Sequence, residues 1–527
     1  MSYSAKASFA SGPARLAPDN TVLNKRRFII SLILLTYIAM LLAGVLMVAV
    51  RRPLWYDELF SYYIATLPRF SDVWSLLLSG QEQNSPAFYA IERLSLGVFG
   101  VNNVALRLPA LLGCLVMSLA LFSFVSHRLT PAYGLLAAVF PMITNAYYYA
   151  HEARAYGLEL GFTALALVCW QRATESNDRL FALLGLWLSL VAAISCHYYG
   201  VLVVLPLAFG ELLRTIARKR IDFGIWICFA GSALPLLLTL PLILSAAKFS
   251  GDFWAQPNWQ DIAVFYKDLM GATALPLVAV VTLGVLASTF LKRVPAIDSY
   301  AANGVIPNHE LGAIIGFIAL PFAGMLLAKL ITHAFTYRYV LAAVVGLSVL
   351  FSQAMYILLR GEFRAAAMSA FLLVAWFGAK EVHEVGSAAH LRYRLEDSIA
   401  LLGSADRENL PIVVADNHTF VELSHYAPPE IASNLVYLTD AAFARQILGV
   451  GNDERAMLEV IGPWFHMHVV PFEQFAKSKT PFLIYDGYLY WGALSWVVPA
   501  LKERRFRVEL QSNFDDKYLF FAVAPDR

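Results

Sequence analysis

Asp57 and Glu58 stand side by side in RRPLWYDELFSYY, just beyond the first long apolar run, and the same polar stretch carries Glu82, Gln83 and Asn84 before SPAFYAIERL. Two carboxylates at a membrane face have two readings. One is a solvated interfacial loop with an aromatic belt of Trp55, Tyr56, Tyr62 and Tyr63, because most exposed carboxylates are simply hydrated. The other is an active site in which an acceptor is deprotonated beside a lipid-borne substrate. Adjacent residues point apart on either a helix or a strand, so one carboxylate enters a pocket while the other orients or caps. Asp57 is read as the base, with Glu58 as its catalytic partner.

Further polar groups collect near other apolar runs. HEARAY places His151, Glu152 and Arg154 between the third and fourth runs, with Glu159 about a turn further in. THAFTYRY brings His333, Arg338 and Tyr339 to the start of a later run, with Lys329 close by, and GDFWAQPNWQDIAVFYKDL adds Asp252, Trp254, Trp259, Asp261 and Lys267. Charge is costly inside a bilayer, and the middles of the runs are almost free of it, so its gathering at one rim is informative. An arginine holds a phosphate bidentately and more strongly out of bulk water; taken singly, each arginine also reads as a topological anchor or an ion-pair partner. The tryptophans read as interface anchors or as platforms for a sugar. Moving a sugar from a polyprenyl phosphate to a hydroxyl or amide needs a base for the acceptor and cationic groups for the departing phosphate. Because phosphate leaves readily, a second, acidic carboxylate of the glycosidase type is unnecessary.

The elements that must position these groups are membrane helices. Of the 527 residues, 59% are hydrophobic and 15% charged, and mean hydropathy is +0.59. The apolar content falls in runs near the ~20 residues that cross a bilayer. Spans are expected at 28–50, 104–126, 132–150, 155–171, 180–197, 199–217, 223–247, 270–291, 311–331, 338–359 and 365–381. Lys25, Arg26 and Arg27 place a cytoplasmic tail, 1–27, before the first span, which is too long for the core of a cleaved signal peptide. Alternate connections are then basic, as at Arg214, Arg218, Lys219 and Arg220, and the stretch 51–103 lies outside as the first outer loop. SPAFYAIERLSLGVF within it reads as a helix in the interface, apolar on one side with Glu92 and Arg93 on the other. A net charge of +2 gives no case for nucleic acid. Cys114, Cys169, Cys196 and Cys228 fall in or beside apolar runs, which suits packing rather than a disulfide or metal framework.

Composition changes after about Val382. PIVVAD, LVYLTD, PFLIYDG and YLFFAVAP read as strands, with helix-like HTFVELSHYA and WGALSWVVPALKERR between them. Such alternation implies a small α/β domain over 382–527 with a largely parallel sheet, outside the membrane if the spans number eleven. It has no dinucleotide or P-loop fingerprint, and a docking module is as good a reading as a substrate-binding one. Asn417-His418-Thr419 is a glycosylation sequon that matters only in a eukaryotic host.

Four pieces together resemble the integral-membrane C-type glycosyltransferases that use polyprenyl-phosphate sugars, close to the protein mannosyltransferase, aminoarabinose transferase and rhizobial lipopolysaccharide-transferase branch. They are WYDE, EQNSPAFY at 82–89, VFGVNNVALRLPALL at 98–112 and TYRYVLAAV at 336–344. The resemblance implies a polytopic α-helical membrane fold of about eleven helices with a C-terminal extracytoplasmic α/β domain, and transfer of a sugar from a polyprenyl-phosphate donor to a cell-envelope acceptor at a bacterial inner membrane. It makes Asp57 the base, Glu58 and Glu82 supporting carboxylates and Arg338 a ligand of the donor phosphate. Asn84, Glu152, Arg154 and Tyr339 complete the expected substrate-binding set. Asn84 and Ser85 stand where His-Pro is common in that group, which weakens any metal-ligand role there. Some relatives use a divalent metal ion and others do not, and the His and Asp spacing leaves that cofactor open. The absence of Asp-x-Asp argues against a metal-bound nucleotide sugar. The competing readings are a lipid-linked glycan flippase or transporter, which calls for midplane polar residues, broken spans and a repeated half, and a ligase for a lipid-linked polymer.

Overall fold

The first apolar run forms one helix, α1 (Asn20–Arg51), in the computed structural model of the chain, which describes residues 20–175, 179–248, 255–290, 306–404, 410–449, 451–478, 480–487, 495–514 and 517–524. Each of the eleven expected runs is largely helical over its described residues. Among the described residues six helices are long and apolar enough to cross a membrane, or up to eight if each of two bent pairs is one span. The other three positions hold α6 (Pro131–Ile143), α7 (Tyr156–Glu175) and Ala343–Leu358. The protein is a multi-pass membrane protein.

Two spans are broken, contrary to the unbroken runs read from hydropathy. Phe223–Leu238 meets Leu240–Ala247 at 65°, and Asn308–Ile318 meets Leu320–Thr332 at 51°. Pro241 and Pro321 stand in the first turn of each second half. A proline there removes one backbone donor and crowds the preceding turn, so the helix kinks without losing its apolar character.

Between α1 and the second span lie α2 (Tyr56–Ala65), α3 (Phe70–Leu77) and α4 (Pro86–Phe99). The last is the expected interface helix, with Ser85 accepting from the Ala87 N–H at its start. Its orientation reverses the simple expectation. Leu94, Val98 and Phe99 are exposed while Glu92 is buried, and Arg93 donates to the Ala65 and Leu67 carbonyls at 2.9 and 2.5 Å. In a lipid interface the apolar side faces out, and the polar side turns inward to satisfy the unpaired carbonyls that end α2.

The span that follows, α5 (Asn103–Arg128), packs against α7 with almost no gap. A Cβ at Gly113 would lie 2.2 Å from the Gly157 carbonyl oxygen, and one at Gly161 would lie 2.4 Å from that of Gly113. Small residues at this crossing let the two backbones touch. The close approach sets Arg107 of α5 beside the loop 151–155 that leads into α7.

The last helix does not end where composition changes. One helix, Phe363–Ser404, continues through the expected boundary at 382, because 382–404 is polar yet contains no proline and only two glycines, so it can stay helical in water. A six-stranded sheet follows, with strands β1 (Ile412–Val414), β2 (Leu435–Thr439), β3 (Val469–Pro471), β4 (Phe482–Gly487), β5 (Arg507–Phe514) and β6 (Lys517–Val523). Their order is β3-β2-β1-β4-β6-β5. The first four are parallel, as expected, and β5 and β6 add an antiparallel edge. β3 and β5 were not expected: β3 is three residues long, and β5 is too polar to stand out. Helices Asn417–Tyr426 and Val497–Glu503 fall inside the two helix-like stretches.

Candidate active site

The second and third residues of α2 are Asp57 and Glu58, and they do point apart. Glu58 is fully buried. Its carboxylate accepts from Arg107 Nε and Nη2 at 2.7 and 2.6 Å, from Arg52 Nη2 at 3.1 Å, and from the Ala153 and Trp55 N–H groups at 2.9 and 3.4 Å. Arg107 also donates to the carbonyls of Ala49, Arg52 and Pro53, the last of the α1 ladder and the turn beyond it. Burial pushes the Glu58 carboxyl up, but Arg107 and Arg52 outweigh it and hold the group below the usual range. With its lone pairs occupied, Glu58 is off the cavity wall. It ties α1, α2, α5 and the 151–155 loop into one frame, the orienting place that one of the two adjacent carboxylates was expected to take.

Asp57 faces a cavity of about 270 Å³. Arg338 Nη1 donates to its Oδ2 at 2.6 Å, and the Arg338 guanidinium lies 5.8 Å from the Tyr156 ring centroid. Arg154 donates to the Asp57 backbone carbonyl at 3.2 Å and forks onto both oxygens of Glu82 at 3.3 Å. Glu82 also accepts from the Gln83 and Asn84 N–H groups at 2.9 Å, which shapes the chain so that Asn84 faces the cavity. Tyr339 donates to the Gln83 side chain at 2.6 Å. Burial pushes the Asp57 carboxyl up, but Arg338 and Arg154 pull it down by more, so it is ionised across neutral pH.

Asp57, Glu82, Asn84, Arg154, Arg338 and Tyr339 therefore share one cavity wall, although they are spread over nearly three hundred positions of sequence. Glu152 is buried but off the wall. Asp261, Lys267, Lys329 and His333 do not line it, and Asp252 and Trp254 lie outside the described residues. Trp259 is exposed, as an interface anchor would be. Among the described residues no three His, Cys, Asp or Glu side chains are arranged to hold a metal ion.

Several wall residues escaped the sequence reading. Tyr198 and Tyr199 open a 3-10 turn, Tyr198–Val203, capped by His197 between two membrane helices, and a backbone bridge joins His197 to Asn84. Tyr199 stacks on Tyr339 at 4.4 Å, and the His197 ring lies 4.9 Å from that of Tyr339. The signal was present in HYYG, polar aromatics where two apolar runs abut. The apolar side of the cavity comes from the two broken spans, with Ile243, Ala246 and Ala247 from one and Ile331 and Thr332 from the other.

This fold has counterparts among solved structures. ArnT from Cupriavidus metallidurans in the apo state superposes with a TM-score of 0.55 at 13% identity, covering 96% of this chain and 100% of that one. The same protein bound to undecaprenyl phosphate gives 0.56 at 12% identity, covering 94% and 99%. The chain has the ArnT fold. In sequence, residues 83–244 match the family described as dolichyl-phosphate-mannose-protein mannosyltransferase. No curated protein matches it in sequence. The likeness to ArnT is one of fold, and it takes in the C-terminal sheet as well as the spans. The likeness in fold thus covers nearly the whole chain, whereas the likeness in sequence is confined to residues 83–244.

Proposed function

We propose that this protein is a membrane glycosyltransferase that moves a sugar from a polyprenyl-phosphate donor to a cell-envelope acceptor at the extracytoplasmic face of a bacterial inner membrane. The observation that carries the reading is the Asp57–Arg338 pair on the wall of a cavity that is cationic and acidic on one side and apolar on the other. A structure of the same fold is described as bound to undecaprenyl phosphate, a ligand of the kind such a cavity suits.

In this reading the donor phosphate takes the Arg338 guanidinium from Asp57. The freed carboxylate then accepts the acceptor's O–H proton while the acceptor oxygen bonds to the anomeric carbon. The bond from that carbon to the phosphate oxygen breaks, and Arg338 stabilises the departing charge. Arg154, anchored by Glu82, holds the Asp57 backbone. The donor's lipid lies along the apolar wall from the broken spans.

The reading is tested by donor consumption with the purified protein in lipid, offered a panel of polyprenyl-phosphate monosaccharides. Turnover of one donor, slowly to water and faster with envelope extract, is expected. Lipid or polymer crossing the membrane with no donor consumed would hand the function to the flippase or ligase reading. Arg338→Ala should weaken donor binding about 10- to 100-fold, the worth of a charged hydrogen bond of ~1.5–3 kcal/mol. Arg338→Lys should recover part of that, since it restores charge without the fork. A donor dissociation constant unchanged in Arg338→Ala removes the phosphate clamp.

Glu152 adds a pH dependence. Burial raises its carboxyl, Arg338 opposes this, and Asp57 and Glu58 add to it, leaving the group at about 7. Below that pH it is neutral, and above it a further negative charge stands beside Arg338. Donor binding should weaken several-fold as pH rises from 6 to 8, and Glu152→Gln should flatten the profile. A wild-type profile without that fall, or one unchanged in Glu152→Gln, assigns the titration elsewhere.

A further inference from the structure

The C-terminal domain closes over α2. The Leu54 N–H donates to the Tyr426 hydroxyl at 2.7 Å, Tyr63 and His425 hydrogen-bond at 3.0 Å, and Phe465 meets the rings of Phe60 and Tyr63 at 5.2 and 4.7 Å. Tyr56, next to the proposed base, lies 4.3 Å from the His418 ring. The domain reaches the site through a particular part of its sheet. In the order β3-β2-β1-β4, the chain leaves β1 toward β2 and β3 on one side and returns to β4 on the other, so the topological switch lies between β1 and β4. In open parallel sheets the crevice beyond the carboxyl ends of the strands at such a switch is where ligands bind. Asp416 and His418 follow β1, and Asp486 lies near the end of β4.

The same domain also reaches the wall of the candidate catalytic cavity. Asp453, on the short helix Asn452–Ala456 of the same domain, lines the cavity together with Asp57, Asn84 and Arg338. Burial pushes the Asp453 carboxyl up, and the neighbouring carboxylates Asp416 and Asp57 add to the rise. A second observation points to a ligand. The Asn84 side chain is 1% exposed and lies on the cavity wall, and although the Tyr89 hydroxyl stands close enough to act on it, neither its amide nitrogen nor its oxygen makes a hydrogen bond of good geometry. A buried amide in that condition costs free energy unless something fills the space beside it.

From this geometry we infer that the C-terminal domain forms the acceptor subsite, with Asp453 and Asn84 binding hydroxyl groups of a neutral, hydroxyl-rich acceptor, a glycan rather than a phosphate-bearing group. The inference rests on the glycosyltransferase reading above. The cations of the cavity wall come from one half. Arg338 and Arg154 belong to the membrane half and suit the donor phosphate, whereas the C-terminal half adds Asp453 to the wall and, among the described residues, no cation. Ionised carboxylates only accept hydrogen bonds, and sugar hydroxyls donate them. A second phosphate approaching this side would meet like charge. Asp57 lies where the two halves meet, as the base for a hydroxyl held by Asp453 must.

The test offers the donor found in the panel above to two acceptor sets, short neutral oligosaccharides on an alkyl anchor and the same oligosaccharides bearing a phosphate monoester. Sugar transferred to acceptor and sugar released to water are both counted. The wild-type protein should prefer the neutral set. Asp453→Asn should raise the KM for the neutral set at least tenfold and lower the ratio of transfer to hydrolysis by a similar factor, whereas a merely structural defect would lower both together. Asp453→Lys should shift preference toward the phosphate-bearing set. Preference of the wild type for the phosphate-bearing set, refusal of both sets, or an unchanged KM in Asp453→Asn overturns the acceptor assignment while donor hydrolysis leaves the glycosyltransferase reading standing. A wild-type protein that consumes no donor even to water ends both.

Discussion

Asp57→Asn is expected to lower sugar transfer by roughly 10²–10⁴-fold, the usual worth of a positioned general base, while the donor binds at least as tightly as before. The two halves of that expectation have one cause. In the resting site the Asp57 carboxylate is both the proton acceptor and the partner of Arg338 at 2.6 Å. The amide has nearly the same shape but no negative charge, so it neither takes the acceptor's proton nor competes with the donor phosphate for the guanidinium. Single-turnover transfer from a labelled donor, run beside equilibrium binding of the same donor, separates the effects. Transfer retained within a few-fold would remove Asp57 from the base role. Donor affinity that falls in step with rate would mean that the carboxylate orients the donor instead.

Arg107→Met should have the largest effect on stability. It removes two hydrogen bonds to a carboxylate with no exposure to solvent and three to the carbonyls around the end of α1. Breaking a buried ion pair from one side costs about 3–5 kcal/mol, because the remaining charge is left poorly compensated. Arg52 alone is then set against Glu58. The expected result is a marked fall in the thermal midpoint in detergent and a loss of monodisperse protein. Adding Glu58→Met should return part of the loss, since the stranded charge is then gone, and a double-mutant cycle gives the coupling. The recovery should be incomplete because the α1 carbonyls stay unpaired. An Arg107→Met protein that melts like the wild type would show that the frame is held by packing alone. Both experiments bear on a single question, why two adjacent carboxylates have different work, and the answer lies in which arginine each one meets.

Much of the fold was legible because the signals are local. A run of apolar residues crosses a bilayer whatever surrounds it, since in hydrocarbon the backbone must satisfy its own hydrogen bonds, and each of the eleven expected runs is largely helical. Alternation in PIVVAD and PFLIYDG marked strands for the same reason, while β5, polar along its length, gave no such contrast. The bends at Pro241 and Pro321 were not read, because hydropathy averages over a kink, and the length of the last helix was not read because a helix leaving the membrane changes composition before it changes conformation.

The chemistry divides differently. The sequence by itself determined that carboxylates and arginines lie at one rim, since charge is excluded from the middle of a span, and it singled out Asp57, Glu82, Arg154 and Arg338 by type and place. Only the tertiary structure decided that Asp57 meets Arg338 across the cavity while Glu58 is enclosed by Arg52 and Arg107. It alone brought His197 and Tyr199 to the wall and carried Asp453 from the C-terminal domain to within reach of Asp57. The physical reason is that burial and hydrogen-bond partners depend on which helices pack together. That choice rests on contacts such as Gly113 against Gly157, which join residues far apart in the chain and leave no periodic trace within it.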